Sequence, residues 1–356
     1  MINGAAGGLP ADDTTPSTLS FLDPLGNRYE WVVRSGAAGD ERTHGRMARL
    51  VQVTGGATFV QHWIPVAPNG SAAAALDALE NEVRAGVRLA RRYAQRYPPE
   101  LVRLIGYDID CPEPFVLLAQ RRGGPCTVVA GELGVTALHA FQASLFRGLL
   151  LLAEASIVHD DLSPDAVSWD GTFAQIGGFS SATLVRERRP RRATSAWASP
   201  QRRAAASPAL PADDIWSAGL VVFQVATGRE PLPGPPDLSS RGEALRNLLT
   251  DVFSPEPEGR PSAPVLLRRL GVSDQPPAGQ LDDLQAFAEG RREFDRLLRE
   301  KWDATVPADT APDRHTSAER RGRRLPTSQR ALLVLTAVLL TVLVVIAART
   351  ALGGSW

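Results

Sequence analysis

Lysine is all but missing from this chain: of its 39 basic residues only Lys301 is a lysine, and the rest are arginine. Any chemistry that needs an ammonium group upstream of Lys301 must do without it. Cysteine is scarce as well. Cys111 and Cys126 are too few for a disulfide framework and form no paired metal motif, which fits a reducing compartment for the main domain. Neither sign of charge is in excess, since 39 acidic residues balance the 39 basic ones. That balance argues against a nucleic-acid binder. The N-terminus lacks a basic stretch followed by an apolar one, so no signal peptide is expected there. Residues 1–24, rich in Gly, Ala, Pro, Asp and Thr, are expected to be a disordered leader.

What is present is an ordinary apolar fraction, 44% of 356 residues, enough for a sizeable core and some appendages. One apolar run stands apart. Ala331–Ala348 reads ALLVLTAVLLTVLVVIAA without a charge, and as a helix it would be roughly 27 Å long, close to a hydrocarbon core of about 30 Å. It is expected to cross a membrane once. Arg314, Arg320, Arg321, Arg323, Arg324 and Arg330 precede it, and Arg349 alone follows. The positive-inside rule then keeps the long N-terminal part cytoplasmic and leaves residues 349–356 as a short outer tail. The basic linker, 303–330, has the composition to lie against anionic headgroups.

Strand signals come early: Tyr29–Arg34, Arg49–Thr54 and Thr58–Val66 are alternating or apolar runs parted by Gly-containing loops. Ala73–Arg96 has helical spacing. Leu101–Tyr107 and Pro114–Gln120 read as two further strands, and Thr136–Ile157 as a long apolar helix, after which the chain is largely helical. Gln280–Trp302 reads as an additional amphipathic helix. The fold class expected is α+β, with a small strand-rich lobe followed by a large helical one.

The motifs that carry chemistry begin at Ile157-Val-His-Asp-Asp-Leu-Ser-Pro-Asp-Ala-Val167. This segment resembles the protein-kinase catalytic loop, H-R-D-L-x-x-x-N. Gln175-Ile-Gly-Gly-Phe-Ser-Ser181 stands where that family has D-F-G, and Ala198-Ser-Pro-Gln201 where it has A-P-E. Asp214-Ile-Trp-Ser-Ala-Gly219, Ala226-Thr-Gly-Arg-Glu-Pro231 and Arg260-Pro-Ser262 follow in the family's order. Residues 25–272 thus resemble a protein kinase. With one membrane helix behind them, the whole is similar to bacterial Ser/Thr kinases of the actinobacterial type. Those usually carry a substantial outer domain.

The resemblance implies a test, because phosphoryl transfer rests on positioning and on electrostatic stabilisation of phosphate by loop amides, a lysine and magnesium. In Arg34-Ser-Gly-Ala-Ala-Gly-Asp-Glu41, Gly36 and Gly39 could approach a phosphate, but Asp40 and Glu41 add negative charge. The lysine position in the third strand falls at Gln61 or His62. Glu82 aligns with the helix glutamate that would pair that lysine; without it, Glu82 is expected to be a solvated helix residue or a partner for a nearby arginine. Asp161 keeps the place of the catalytic base. Ser163 replaces the lysine that touches the transferred phosphate, Ala166 the metal-binding asparagine, and Gly178 the D-F-G aspartate. Neither alanine nor glycine offers a side-chain oxygen to a cation. By contrast His159, Asp214, Gly219 and Arg260 match positions that organise the fold. Arg260 would meet the neutral Gln201 instead of a glutamate, a weakened tie. The basic stretch Arg186–Arg192 reads either as a docking patch for an acidic or phosphorylated partner or as a solvated loop.

The reading that follows is a membrane-anchored pseudokinase, a scaffold or regulatory partner for an active kinase, a phosphopeptide-binding protein or an envelope protein. It needs no cofactor; ATP remains an option for the fold, and the lost ligands argue against Mg²⁺. The alternatives are a divergent active Ser/Thr kinase using Asp161, and a regulator that holds ATP without turnover.

Overall fold

The computed structural model describes residues 15–273, apart from 38, 41–45, 55, 66–72, 95, 190–192, 194, 206 and 233. The expected helix at 280–302, the basic linker, the apolar run 331–348 and the tail all lie outside the described residues.

The first half is built of antiparallel strands: β1 (Ser17–Leu22), β2 (Arg28–Ser35), the two-residue β3 (Gly39–Asp40), β4 (Met47–Val53), β5 (Thr58–Trp63), β6 (Leu104–Asp108) and β7 (Phe115–Ala119). They pair in the order β2-β1-β6-β7-β5-β4-β3, and β2 also pairs with β4. That last pairing, Val33–Val53 to Ser35–Val51, closes the sheet into a ring. β1 corrects the expectation of a leader running to residue 24. Its composition is turn-like, but Leu19 and Phe21 alternate with polar neighbours and so share one face. Phe21 is fully buried, edge-on to Trp31 at 4.7 Å. The β1–β2 turn is held by Asp23, whose Oδ1 accepts the amides of Leu25 and Asn27 at 2.9 and 2.8 Å.

Alternation gives the ring two faces with different partners. Phe21, Trp63, Phe115 and Leu117 pack inside it, with Trp31 and Ile105 against them. Ile64, Leu104, Val116 and Leu118 face outward onto Ala75, Leu79 and Val83 of helix α1 (Ala73–Arg92). Gly86 permits this docking: a Cβ there would lie 2.5 Å from Leu104 Cβ. The helix ends four residues before the expected Arg96, and β6 begins at Leu104 because Leu101 forms only an isolated bridge to Ile176.

The second half is organised by α2 (Val135–Glu154). It follows the two-residue strand β8 (Gly124–Pro125) and is the core helix around which a large apolar cluster forms. It is long and apolar enough to cross a membrane, but most of it is buried within the protein. It stops three residues short of the expected Ile157 because Ser156 takes a left-handed turn, φ 56°, and Ile157–Val158 form β9. β10 (Val167–Trp169) and β11 (Ala174–Ile176) make a hairpin, with β10 also pairing β8, and β12 (Thr183–Leu184) pairs with β9. Then come α3 (Pro200–Ala204), α4 (Pro211–Thr227), α5 (Glu243–Leu249) and α6 (Ala263–Arg269). Gly219 in α4 sets a close contact, since a Cβ there would meet Val252 Cγ1 at 2.5 Å. The described residues are therefore strands followed mainly by helices, an α+β arrangement.

Candidate functional site

The loop between β9 and β10 carries most of the motif residues, and α4 holds it in place. Asp214, in the first turn of α4 behind Pro211, accepts the backbone N–H of His159 at 2.7 Å and of Asp160 at 3.0 Å. Burial pushes its carboxyl up to about 8, against the pull of those two amides. His159 is fully buried and kept down at about 4 by burial first. The neutral ring therefore donates Nε2–H to the Gly177 carbonyl at 3.1 Å, and stacks at a tilt on Phe179, 5.4 Å away. His159 and Asp214 thus tie the loop to α4 and to the Gly177 carbonyl.

Asp160 has a role the motif did not suggest. It stands at the arginine position of H-R-D, takes a left-handed φ of 64° and is almost fully buried. Its Oδ1 accepts Arg189 Nε at 2.9 Å and its Oδ2 meets Arg202 Nε at 2.8 Å. Arg189 also reaches Asp213 of α4. Asp213 in turn accepts Ser199 Oγ at 2.5 Å and sits 3.6 Å from Arg260. So Arg189, from the basic stretch expected to be a docking patch or a solvated loop, is instead buried in an ion-pair clasp between the loop, the 183–203 segment and α4. Arg186 and Arg188 remain exposed. Arg260 likewise has more than the weak tie expected: besides Gln201 Oε1 at 2.5 Å and Asp213, it donates to the carbonyls of Ser254 and Ala212. Asp161 lies beside the clasp, and burial raises its pKa while Arg202 opposes the rise.

A second group forms where the ring meets this loop. Glu82 is buried, not solvated: Oε1 accepts the Phe179 amide at 3.0 Å and Oε2 lies 3.6 Å from Arg46 Nη1. The expected alternative, an arginine partner, is the one found. The register also separates Gln61 from His62. Gln61 turns into the ring, where it takes Arg49 Nε at 2.7 Å, while His62 shares the outward face with Ile64. Burial, then Arg46 and Arg121, hold the His62 pKa down at about 3, so it is neutral and does not replace a lysine charge.

Arg121 follows β7 and crosses toward the loop, donating Nη1–H to the Asp165 carbonyl. Its Nη2 lies 3.2 Å from where a Cβ on Gly178 would be. Gly178 itself is left-handed, φ 77°, and Phe179 after it is buried. Ser163 precedes the short turn Pro164–Ala166, and Ala166 is buried with its carbonyl accepting the Gly177 amide at 2.9 Å. Gly36 and Gly39 belong to the sheet: Gly36 N–H is taken by Leu50 O at 2.8 Å, and Gly39 pairs with Ala48.

These residues do not fit a magnesium–nucleotide complex. The positions that would ligate metal carry a methyl group and no side chain, a guanidinium lies beside them, and the amide of Gly36 is already bonded. Among the described residues no cluster of three or more His, Cys, Asp or Glu is placed to hold a metal ion. Arg46, Arg121, Arg189, Arg202 and Asp213 make the buried contacts that the motifs alone did not single out. One signal was legible, the reversed charge of Asp160 in H-D-D followed by an arginine-rich segment.

No family model matches the chain. It is 26% identical over 165 residues to the serine/threonine-protein kinase chk-1 of Caenorhabditis elegans, covering 44% of this chain. It spans about a third of that relative's length, 33%. Part of the chain is therefore weakly similar to a Ser/Thr protein kinase.

Proposed function

We propose that the chain is a two-lobed, kinase-like protein, held at a membrane by the run 331–348, that binds a protein partner and does not transfer phosphate. The observation that carries this reading is Arg121. Its guanidinium lies where a kinase would keep a metal-binding carboxylate, next to the bare Gly178, and bridges to the loop at Asp165. A cation fixed there repels magnesium and takes the place of a bound nucleotide's contacts across the junction. The clasp at Asp160 supports the scaffold side of the reading. Kinase activation segments are commonly ordered by a phosphate that pairs with arginine, whereas here arginines of the segment pair with a built-in carboxylate. A segment held this way offers a permanent surface, with Arg186 and Arg188 exposed toward an acidic partner.

The retained Asp161 favours the alternative of a divergent active kinase, and one experiment separates the two. The full chain in lipid nanodiscs is melted with millimolar ATP, with and without Mg²⁺ or Mn²⁺, and incubated with labelled ATP and a generic Ser/Thr substrate. The expected result is no change in melting temperature and no incorporation. A metal-dependent rise of ~5–10 °C, the size expected at 100 times Kd, with labelling that Asp161→Asn abolishes, would establish the kinase instead.

A further inference from the structure

We propose that the mouth of the strand ring is a binding site for a small organic carboxylate with an apolar, ring-bearing body. Closing the sheet with β1 turns a face that would otherwise meet solvent into an interior, which Phe21, Trp63, Phe115 and Leu117 fill except at one open end. A cavity of about 480 Å³ opens at one end, walled by Leu19, Trp63, Pro112 and Phe115. Small barrels normally fill their interiors with side chains. Ligand pockets of a few hundred Å³, mostly apolar with a few placed polar groups, recur in barrel mouths.

The polar groups here select a charge. Arg49 lines the cavity half-buried, its Nε bonded to Gln61 Oε1 at 2.7 Å and its Cζ stacked 4.6 Å from the Trp63 ring centroid. Gln61 is itself buried, so the guanidinium is held in one orientation from two sides. Among the described residues nothing accepts from the two terminal amino groups of Arg49. Glu113, at the rim, acts on it only through space. A partly desolvated cation with no anion bonded to it is an incomplete ion pair, and a planar fork with two free N–H groups matches a carboxylate. A single guanidinium balances one negative charge. A dianionic phosphate would leave a charge against apolar walls, at a desolvation cost. The body of the ligand then rests on Trp63, Phe115 and Leu19.

The probes are 2-naphthoate and its neutral isostere 2-naphthamide, titrated calorimetrically into the full chain in nanodiscs, with empty discs subtracted. Expected is saturable binding of 2-naphthoate, one per chain, at least about tenfold tighter than the amide, as two charge-assisted bonds would give. Arg49→Ala abolishes the preference for the acid over the amide. Arg49→Lys keeps the charge but not the fork, and loses most of the preference, which preserves the test if the alanine variant fails to fold. Glu113→Gln tightens 2-naphthoate binding, because a competing carboxylate is gone. Cys111, which also lines the cavity, is alkylated more slowly by iodoacetamide when 2-naphthoate is bound. Equal affinity for the two probes, an Arg49→Ala variant that still prefers the acid, or no saturable binding up to millimolar would overturn the site.

Discussion

Two charged regions of this protein sit close together in sequence and use their residues in opposite ways. At the junction around Gly178, carboxylates are sparse: Ala166 and Gly178 carry none, Glu82 serves Arg46 and the Phe179 amide, and Arg121 supplies a cation. At the clasp, carboxylates are dense. Asp160, Asp213 and Asp214 are all buried, and Arg189, Arg202 and Arg260 answer two of them. The difference teaches where acidic groups have been kept. They lie where they tie the backbone and the 183–203 segment together, whereas Ala166 and Gly178 carry none. Removing one partner of a buried pair leaves the other charge uncompensated, so each member of the clasp depends on the others.

That comparison can be broken most directly at Arg189. Arg189→Ala leaves Asp213 with Arg260 alone and Asp160 with Arg202 alone, and a loss of about 3–5 kcal/mol is expected, measured by urea unfolding of the full chain. A loss under about 1 kcal/mol would mean that the clasp is ornamental.

Proton linkage sharpens the comparison with two adjacent residues. The Asp160 pKa is raised to about 6, above the ordinary carboxylate value near 4, so its contribution is complete below about pH 4 and lost as pH rises through 6. The His159 pKa is lowered to about 4, below the ordinary imidazole value near 6.5. Its contribution is complete above about pH 6.5 and lost as pH falls through 4. Relative to Asp160→Asn, the wild type should therefore lose stability between pH 4 and 6. Relative to His159→Gln it should gain stability over pH 4 to 6.5. Unfolding at stepped pH reads both slopes.

The smallest effect belongs to the surface. Arg84 and Glu187 meet at 3.0 Å with both side chains about 40% exposed, and Arg84→Ala should cost under about 1 kcal/mol in the same assay. A larger cost would show that the contact from α1 to the segment shares in the clasp.

Much of the framework was legible in the sequence. Six motifs in order single out His159, Asp214, Gly219 and Arg260, and the absence of a side-chain oxygen at Ala166 and Gly178 needs nothing beyond residue identity. Strands and helices followed from period-2 and period-3.6 spacing, with ends off by a few residues. β1 was missed because a leader rich in small and polar residues masked a six-residue alternation. The burial of Glu82 is not legible, since helical spacing alone cannot say how deeply one position is covered. Gln61 and His62 could not be separated either, because a strand's two faces are equivalent until something packs on one of them.

The sequence by itself determined the chemistry available: one lysine far from the motifs, no carboxylate at Ala166 or Gly178, a carboxylate at Asp161 and an abundance of arginine. Only the tertiary structure decided which arginine answers which acid. Arg46 comes from a strand edge, Arg121 from beyond β7, and Arg189 and Arg202 from a segment whose composition reads as solvated. Burial turned these long side chains into fixed partners, because a charge removed from water must find an opposite one. The same closure that buried Phe21 left Arg49 stacked on Trp63 at an open cavity, an outcome of ring geometry that no local pattern encodes.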